Sequence, residues 1–512
     1  MAAHPRRTGG TRGEGRSRTP PMNGHGKSDR PIRPQTRSND PCSLGKEIAE
    51  ERGLTEGNSN QTGPPRTQSR KKGVGDGLER VREAATRDPD VRFTALLHHV
   101  TLARLESAYF SLKKNAATGV DGVTWEQYGR DLESNLRDLH GRLHRGSYRA
   151  KPARRASIPK SDGGIRLLGI ASLEDKIAQR AVAEVLNAIY EADFLGFSYG
   201  FRPGRHPHRA LDALAYCIIR RKVNWVLDAD VRAYFDSIPH ELLVSFVERR
   251  IGDRRVLRLL RKWLNAGVLE DDTLRTAREG TPQGATISPL LANLYLHYVF
   301  DVWAHAWRER HARGEVNIVR YADDFTVCFQ FREDAERFQR ALKERLTEYS
   351  LELHPVKTRL IEFGRFARRD RGRKGAGKPE TFDFLGFTHI CGVNRKGGFL
   401  LRRHTIGKRR RGKLKEIRQE LRRRMHVSPK VVGQWLRCVL NGYFNYYAVP
   451  TNRHQLDRFR NEVARAWISM RQRRSDRDRT TWKRFQPVLD KWLPPTRPRH
   501  PFPDIRMQQR LT

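Results

Sequence analysis

Asp323 and Asp324 follow Tyr321 and Ala322 inside an alternating apolar run, with Ile318 and Val319 before them and Phe325, Val327 and Phe329 after. Alternation of this kind marks a strand, so the spacing predicts a β-hairpin with both acids at its tip. Aspartate also serves in ordinary tight turns, where its side chain bonds the local backbone. A second set, Asp228-Ala229-Asp230, ends the apolar strand Trp225-Val226-Leu227. Acids so placed need a partner, because a buried charge without one is costly. A divalent metal is such a partner, although a strand-end acid beside an arginine would give Asp230 the same setting. Nucleotidyl transfer uses two Mg²⁺ ions about 4 Å apart, one on the attacking hydroxyl and one on the triphosphate, and these hard ions take carboxylate oxygens. Asp230 and Asp323, expected on neighbouring strands, are the candidate ligands.

The elements that must bring these acids together lie between about residues 150 and 390, where short Val/Ile/Leu/Phe runs alternate with longer helical patterns. That order predicts an α+β domain with a mainly antiparallel sheet. Leu102, Leu105, Ala108, Tyr109 and Leu112 have the spacing of an amphipathic helix before it. After about residue 400 the strand signal fades into three helices, marked by Leu414, Ile417 and Leu421, by Trp435, Val439, Leu440 and Tyr443, and by Leu456, Phe459, Val463 and Trp467.

The surroundings are strongly basic. The formal net charge is +42 over 512 residues, which calls for a polyanion that the chain can neutralise, since each phosphate contact releases condensed counterions. Nucleic acid is therefore the expected partner, but ribosomal proteins and RNA chaperones are equally basic, so charge alone names no reaction. Residues 1–77 hold no aromatic residue and are rich in Gly, Pro, Ser, Thr and Arg, a composition expected to stay a disordered basic tail. Five cysteines without a C-x-x-C pair argue against a disulfide framework or a cysteine-rich zinc site and are expected to be reduced and mostly buried. The N-terminus lacks an apolar leader and no stretch approaches the roughly 18 apolar residues of a membrane span, so a soluble intracellular, cytoplasmic protein without a membrane partner is expected.

The motif order from residue 100 to about 450 resembles the bacterial reverse transcriptases encoded in group II introns, which double as maturases. The matching segments are Thr118-Gly119-Val120-Asp121-Gly122, Ile158-Pro159-Lys160 with Gly164 to Ile170, Ser198-Tyr199-Gly200-Phe201-Arg202-Pro203-Gly204, the Asp230 strand, Gly280-Thr281-Pro282-Gln283-Gly284 with Ser288 to Asn293, the Tyr321 hairpin, Leu353 to Thr358, and Phe384-Leu385-Gly386-Phe387. The resemblance implies a right-hand polymerase, with fingers and palm over 78–395 and a helical maturase or thumb domain over 396–470; the Arg- and Pro-rich composition of 471–512, which still carries aromatics, reads as a partly ordered basic extension and a candidate DNA-binding segment. The resemblance also implies that Asp230, Asp323 and Asp324 are catalytic, holding two Mg²⁺ with the backbone carbonyl of Val231. It further implies that Lys160, Arg166, Gln283 and Lys357 contact the incoming dNTP, and that Phe235 is the steric gate against a ribose 2′-hydroxyl. Ser288 and Pro289 read as the N-cap and first residue of the helix after Gln283.

Lys408, Arg409, Arg410, Arg411, Arg422, Arg423 and Arg424, beside the run Asn441-Gly442-Tyr443-Phe444-Asn445-Tyr446-Tyr447, are the expected RNA-binding residues. The implied partners are intron RNA, an RNA template with DNA primer, target DNA and dNTPs. Nothing after Tyr447 contains a cysteine, so no endonuclease domain with paired cysteines is expected. His354 stands where the family usually has Asn, and Leu167 where Pro is common. Two other readings compete: an RNA-binding splicing factor with an inactive polymerase site, and a reverse transcriptase of a retron, a diversity-generating element or an immune system. Intact Asp230, Asp323, Asp324, Phe235 and Gln283 argue against the first, and the Gly-Tyr-Phe-Asn-Tyr-Tyr run against the second.

Overall fold

A computed structural model of the chain describes residues 77–159, 165–270, 273–275, 280, 284–474 and 480–508. Three of the sequence expectations, the 1–77 tail apart from Gly77, Lys160 and Gln283, lie outside them, as does the side chain of Arg166.

Three sheets organise the molecule. A first sheet has the order β2-β1-β4-β5, built from β1 (Ala153–Pro159), β2 (Ile165–Ile170), β4 (Val268–Glu270) and β5 (Thr273–Arg275). The central sheet, in the order β6-β7-β3-β8, joins β3 (Trp225–Asp230), β6 (Val316–Tyr321), β7 (Asp324–Phe329) and β8 (Arg359–Glu362), every pair antiparallel. A third sheet, in the order β11-β10-β9, consists of β9 (Phe382–Phe384), β10 (Phe387–Val393) and β11 (Phe399–Thr405). The expected antiparallel character holds, with the short β1–β4 pairing as a parallel exception.

The central sheet is the wall between two hydrophobic cores, and its period-two geometry explains why. Leu227, Ala229, Phe325, Val327, Phe329 and Ile318 face one core, which also contains the Leu173–Asp193 and Ser288–Leu296 helices. Val226, Val319, Cys328 and Ile361 face the other, which contains the Pro207–Arg220 helix and the helices Gly407–Arg423, Pro429–Tyr447 and Arg453–Gln472. Those last three are the helices expected from the apolar spacing. The second core crosses the division expected at 395/396, because β9, β10 and the helices beyond it bury their apolar faces together.

The stretch from 471, expected as a partly ordered basic extension, carries a packed helix. Phe485, Leu489 and Leu493, spaced by four, bury one face of the Trp482–Trp492 helix in the second core. The Pro/Arg-rich stretch then returns along the molecule. Arg499 donates to Asn441 Oδ1 at 2.7 Å, His500 stacks on His208 with ring centroids 3.9 Å apart, and Arg220 pairs with Asp504 at 2.8 Å. These contacts tie the C-terminal stretch back onto the Pro429–Tyr447 and Pro207–Arg220 helices. Of the described cysteines, Cys217 and Cys328 are buried, Cys391 is partly covered and Cys438 is exposed.

Candidate active site

The two acids of the hairpin occupy different places. Tyr321 and Asp324 are cross-strand partners, so Ala322 and Asp323 form the two-residue turn and Asp324 opens β7. Asp324 is in turn the register partner of Asp230 on β3. Asp230, Asp323 and Asp324 are thereby gathered at one end of the central sheet, and Asp228 joins Asp230 on the same face, two residues back along β3.

A two-residue turn with an alanine at φ +59 is strained for an L-residue and must be held from outside. Arg320, wholly buried at the end of β6, does this. Its guanidinium donates to Asp301 Oδ1 at 2.6 Å, to Asn293 Oδ1 at 3.0 Å, to Ser198 Oγ at 2.6 Å and to the carbonyl of Ala322 at 2.9 Å. Its backbone carbonyl accepts from Tyr199 N–H at 2.8 Å, and its N–H donates to Phe197 O at 2.9 Å. Gly200 closes the cage: a Cβ there would stand 2.2 Å from the Ala322 nitrogen, so only glycine lets the two backbones meet. Asn293 also donates to Gly200 O. Asp301 comes from a π turn, His297–Asp301, between the Ser288–Leu296 and Val302–Arg310 helices. The Ser288–Leu296 helix has Ile287 rather than Ser288 at its N-cap, which makes Pro289 its second residue instead of the expected first.

Crowding of like charge dominates the electrostatics. Burial first, and then the charges of Asp228, Asp323 and Asp230, push the Asp324 carboxyl well above the ordinary carboxylate range, and the Arg409 guanidinium offsets part of this. Asp228 is raised to about 6 by burial, against the pull of Arg359, with Asp383 and Asp230 adding to the rise. A cation therefore stabilises this end of the sheet, and Lys357 Nζ is drawn in to Asp230 Oδ2 at 2.7 Å. Among the described residues no three His, Cys, Asp or Glu side chains converge as a formed ion site. The fit to Mg²⁺ lies in the donors themselves, hard oxygens carrying mutual repulsion that a divalent ion relieves. Val231 sits in an isolated bridge with Leu353, flanked by Arg232 N–H to Glu352 O and His354 N–H to Asp230 O, both 2.8 Å. That pattern turns the Val231 carbonyl away from residue 353, toward the side where β7 begins.

Phe235 lies in the Tyr234–Asp236 turn that follows β3, half-buried and edge-on to Tyr234, and Ala233 at φ +47 sets the bend. Gly280 and Gly284, which flank Gln283 in the sequence, both approach neighbouring backbone closely. Gly280 N–H donates to Ile238 O at 2.8 Å, and Gly284, at φ +110, lies where a Cβ would be 2.8 Å from Gly169 O on β2. Arg166 sits on β2 opposite Ile158. The structure thus brings Asp230, Val231, Asp323, Asp324 and Lys357 together, with Phe235 one turn further on.

The basic residues of the Gly407–Arg423 helix divide. Lys408, Arg409, Arg411, Arg422 and Arg423 are exposed, and Arg424 packs over Trp435 at 5.0 Å while pairing with Glu420 at 2.8 Å. Arg410 corrects the expectation. It is 5% exposed and its guanidinium is committed to Glu462, because position 410 falls on the apolar stripe with Leu414, Ile417 and Leu421. Arg409, expected to meet RNA, also reaches the carboxylates electrostatically and lies against Gly386. Tyr443 is a core residue stacked on Phe459, and Tyr446 Oη donates to Leu385 O at 2.8 Å. Sequence reasoning missed Arg320 and Asp301, and it left Asp228, which it named with Asp230 in the second acidic set, without a role. Asp228 had a readable signal, its period-two relation to Asp230.

Residues 158–389 match the family model described as reverse transcriptase (RNA-dependent DNA polymerase). Protein YkfC of Escherichia coli is 34% identical over 333 residues, covering 57% of this chain and 87% of that protein. An uncharacterised 91 kDa protein in the cob intron of Schizosaccharomyces pombe is 31% identical over 51% of this chain and 33% of its own length. The group II intron-encoded protein LtrA of Lactococcus lactis is 34% identical over 43% of this chain and 37% of its own length. The chain thus spans most of one relative and about a third of the two intron proteins. Carboxylates at the end of an antiparallel sheet, the motif order and these relatives agree, and the chain belongs to the group II intron reverse transcriptases and maturases.

Proposed function

We propose that this protein copies RNA into DNA by two-metal nucleotidyl transfer and grips intron RNA to assist its splicing. The observation that carries the reading is the Asp230–Asp324 register pair with Asp323 in a turn clamped by Arg320. Asp230 and Asp323, with the Val231 carbonyl, are the proposed ligands of two Mg²⁺, and Asp324 supports them. When bound, the ions would activate the primer hydroxyl and neutralise the triphosphate. The residues around them do the rest. Lys357, already beside Asp230, supplies an ammonium that can release a proton to departing pyrophosphate. Lys160 and Arg166 neutralise the triphosphate, and Gln283, between Gly280 and Gly284 in the sequence, braces the nucleotide.

In this reading the first and central sheets are fingers and palm, and the helices from Gly407 onward are the thumb and maturase surface. Exposed Lys408, Arg409, Arg411, Arg422 and Arg423 would meet RNA phosphates there, with target DNA a further partner. Phe235 would exclude a 2′-hydroxyl by contact. Primer extension on an RNA template, run with dNTPs and with rNTPs, tests both the polymerase and its gate. Phe235→Ala is expected to keep DNA synthesis and to narrow the preference for dNTPs by roughly tenfold or more, the scale of removing a steric clash from a pocket. Unchanged discrimination would remove Phe235 from the sugar pocket.

A further inference from the structure

Directly after β8 the chain carries Arg365, Arg368, Arg369, Arg371, Arg373, Lys374 and Lys378, with Asp370 the one acid among residues 364–378. The Ala367–Arg373 helix and the β10–β11 hairpin enclose an open cleft of about 690 Å³. Arg365, Phe366, Arg368, Arg369 and Arg373 line it from the helix side, and Cys391, Gly392, Val393 and Phe399 from the hairpin side. Some of these cations are engaged: Arg371 faces Glu380 and Lys374 faces Glu362. Arg368 and Arg373 are exposed and make no ion pair or hydrogen bond among the described residues, and Phe366 is 43% exposed with the Arg369 guanidinium 4.9 Å over its ring. An exposed aromatic beside solvent-facing guanidiniums can stack an unpaired base while the cations neutralise its phosphates.

The cleft is not part of the catalytic end. Glu362 on β8 pairs with Trp225, at the opposite end of β3 from Asp230. Five residues of strand separate the two ends, about 17 Å.

We infer that this cleft is a second RNA-binding surface, which takes the phosphate backbone and an unpaired base of a folded RNA away from the template-primer. Arg368 and Arg373 bind phosphates and Phe366 stacks a base, a combination suited to RNA loops, because duplex DNA keeps its bases stacked. The inference rests on the proposed reading that the protein binds intron RNA.

The test compares the full chain with its Arg368→Glu/Arg373→Glu and Phe366→Ala variants in two assays. One is binding of a folded group II intron transcript, and separately of a DNA duplex, across a salt series. The other is extension of a short DNA primer on an RNA template. In the double variant, transcript affinity should fall at least tenfold, and the slope of log affinity against log salt should fall by about two, one for each lost phosphate contact. Extension should stay within twofold of wild type, which also reports that the fold is intact. Phe366→Ala should lose affinity for the transcript without changing the slope. Unchanged transcript affinity and slope in the double variant would overturn the inference, and so would a loss confined to the DNA duplex, which would make the cleft a DNA surface. A wild-type protein that does not prefer the folded transcript to an unstructured oligouridine strand would count against the intron-RNA reading itself, before any variant is compared.

Discussion

Arg320 does for the site what no carboxylate can do for itself. Three acids and a neighbouring Asp228 repel one another, and Ala322 sits at a backbone angle that alanine avoids, so the turn keeps its shape only because a buried fork bonds Ala322 O, Asn293, Ser198 and Asp301 together. Removing one partner of a buried ion pair typically costs about 3–5 kcal/mol, because the other charge is left unpaired. Arg320→Met is therefore expected to lower the unfolding free energy in urea by about that amount, and a loss under about 1 kcal/mol, the size of an exposed pair, would show that the pair is not holding the turn. The carboxylates were legible in the sequence because acids interrupt an apolar alternation there. Arg320 was not. In a chain with 100 basic residues an arginine beside a catalytic motif reads as one more phosphate contact, and its partner Asp301 is presented by a π turn, whose register a 3.6-residue pattern does not reveal.

At the scale of elements, the hairpin, the central strands and the three helices after 400 followed from periodicity, while two features depended on tertiary packing. The Trp482–Trp492 helix lies in a stretch whose arginines and prolines suggested an extension, yet Phe485, Leu489 and Leu493 supply a buried stripe. The third sheet holds a buried histidine instead of an aliphatic residue. His389 on β10 has Phe382 of β9 and Arg403 of β11 as cross-strand partners, and its ring stacks on Phe382 with centroids 4.8 Å apart. Burial, and then Arg403, itself paired with Asp212 at 3.2 Å, push its pKa down to about 3. An unfolded histidine titrates near 6.5, so between those two values the unfolded chain binds the extra proton. The stability this neutral ring contributes is whole above about pH 6.5 and is lost as pH falls toward 3. Near pH 5 the loss is about 2 kcal/mol. His389→Phe should flatten the fall in unfolding free energy between pH 7.5 and pH 5 by that much, and an identical pH profile in both proteins would show that His389 does not titrate in the unfolding transition.

Across the whole molecule, one sheet serves two cores. The face of β3 and β7 that bears Asp228, Asp230 and Asp324 is covered by the second core, so the Gly407–Arg423 helix brings Arg409 into the field of the carboxylates, buries Arg410 against Glu462, and leaves Lys408, Arg411, Arg422 and Arg423 facing outward. The C-terminal strap through Arg499, His500 and Asp504 ties the Pro429–Tyr447 helix to the Pro207–Arg220 helix. Among the described residues no helix is long and apolar enough to cross a membrane.

The central claim is that the acids at the end of the central sheet make DNA on RNA while separate basic surfaces hold the RNA. It is tested most directly by Mg²⁺-dependent dNTP incorporation on an RNA template with a DNA primer, with RNA binding measured on the same preparations of wild type and Asp323→Ala. The account predicts extension by the wild type, a loss of at least about 10³-fold in the variant, on the scale of removing a group central to the chemistry, and RNA affinity within a few-fold of wild type. A wild-type protein that binds RNA tightly and never extends the primer, or an Asp323→Ala variant that extends it as well as wild type, would contradict it.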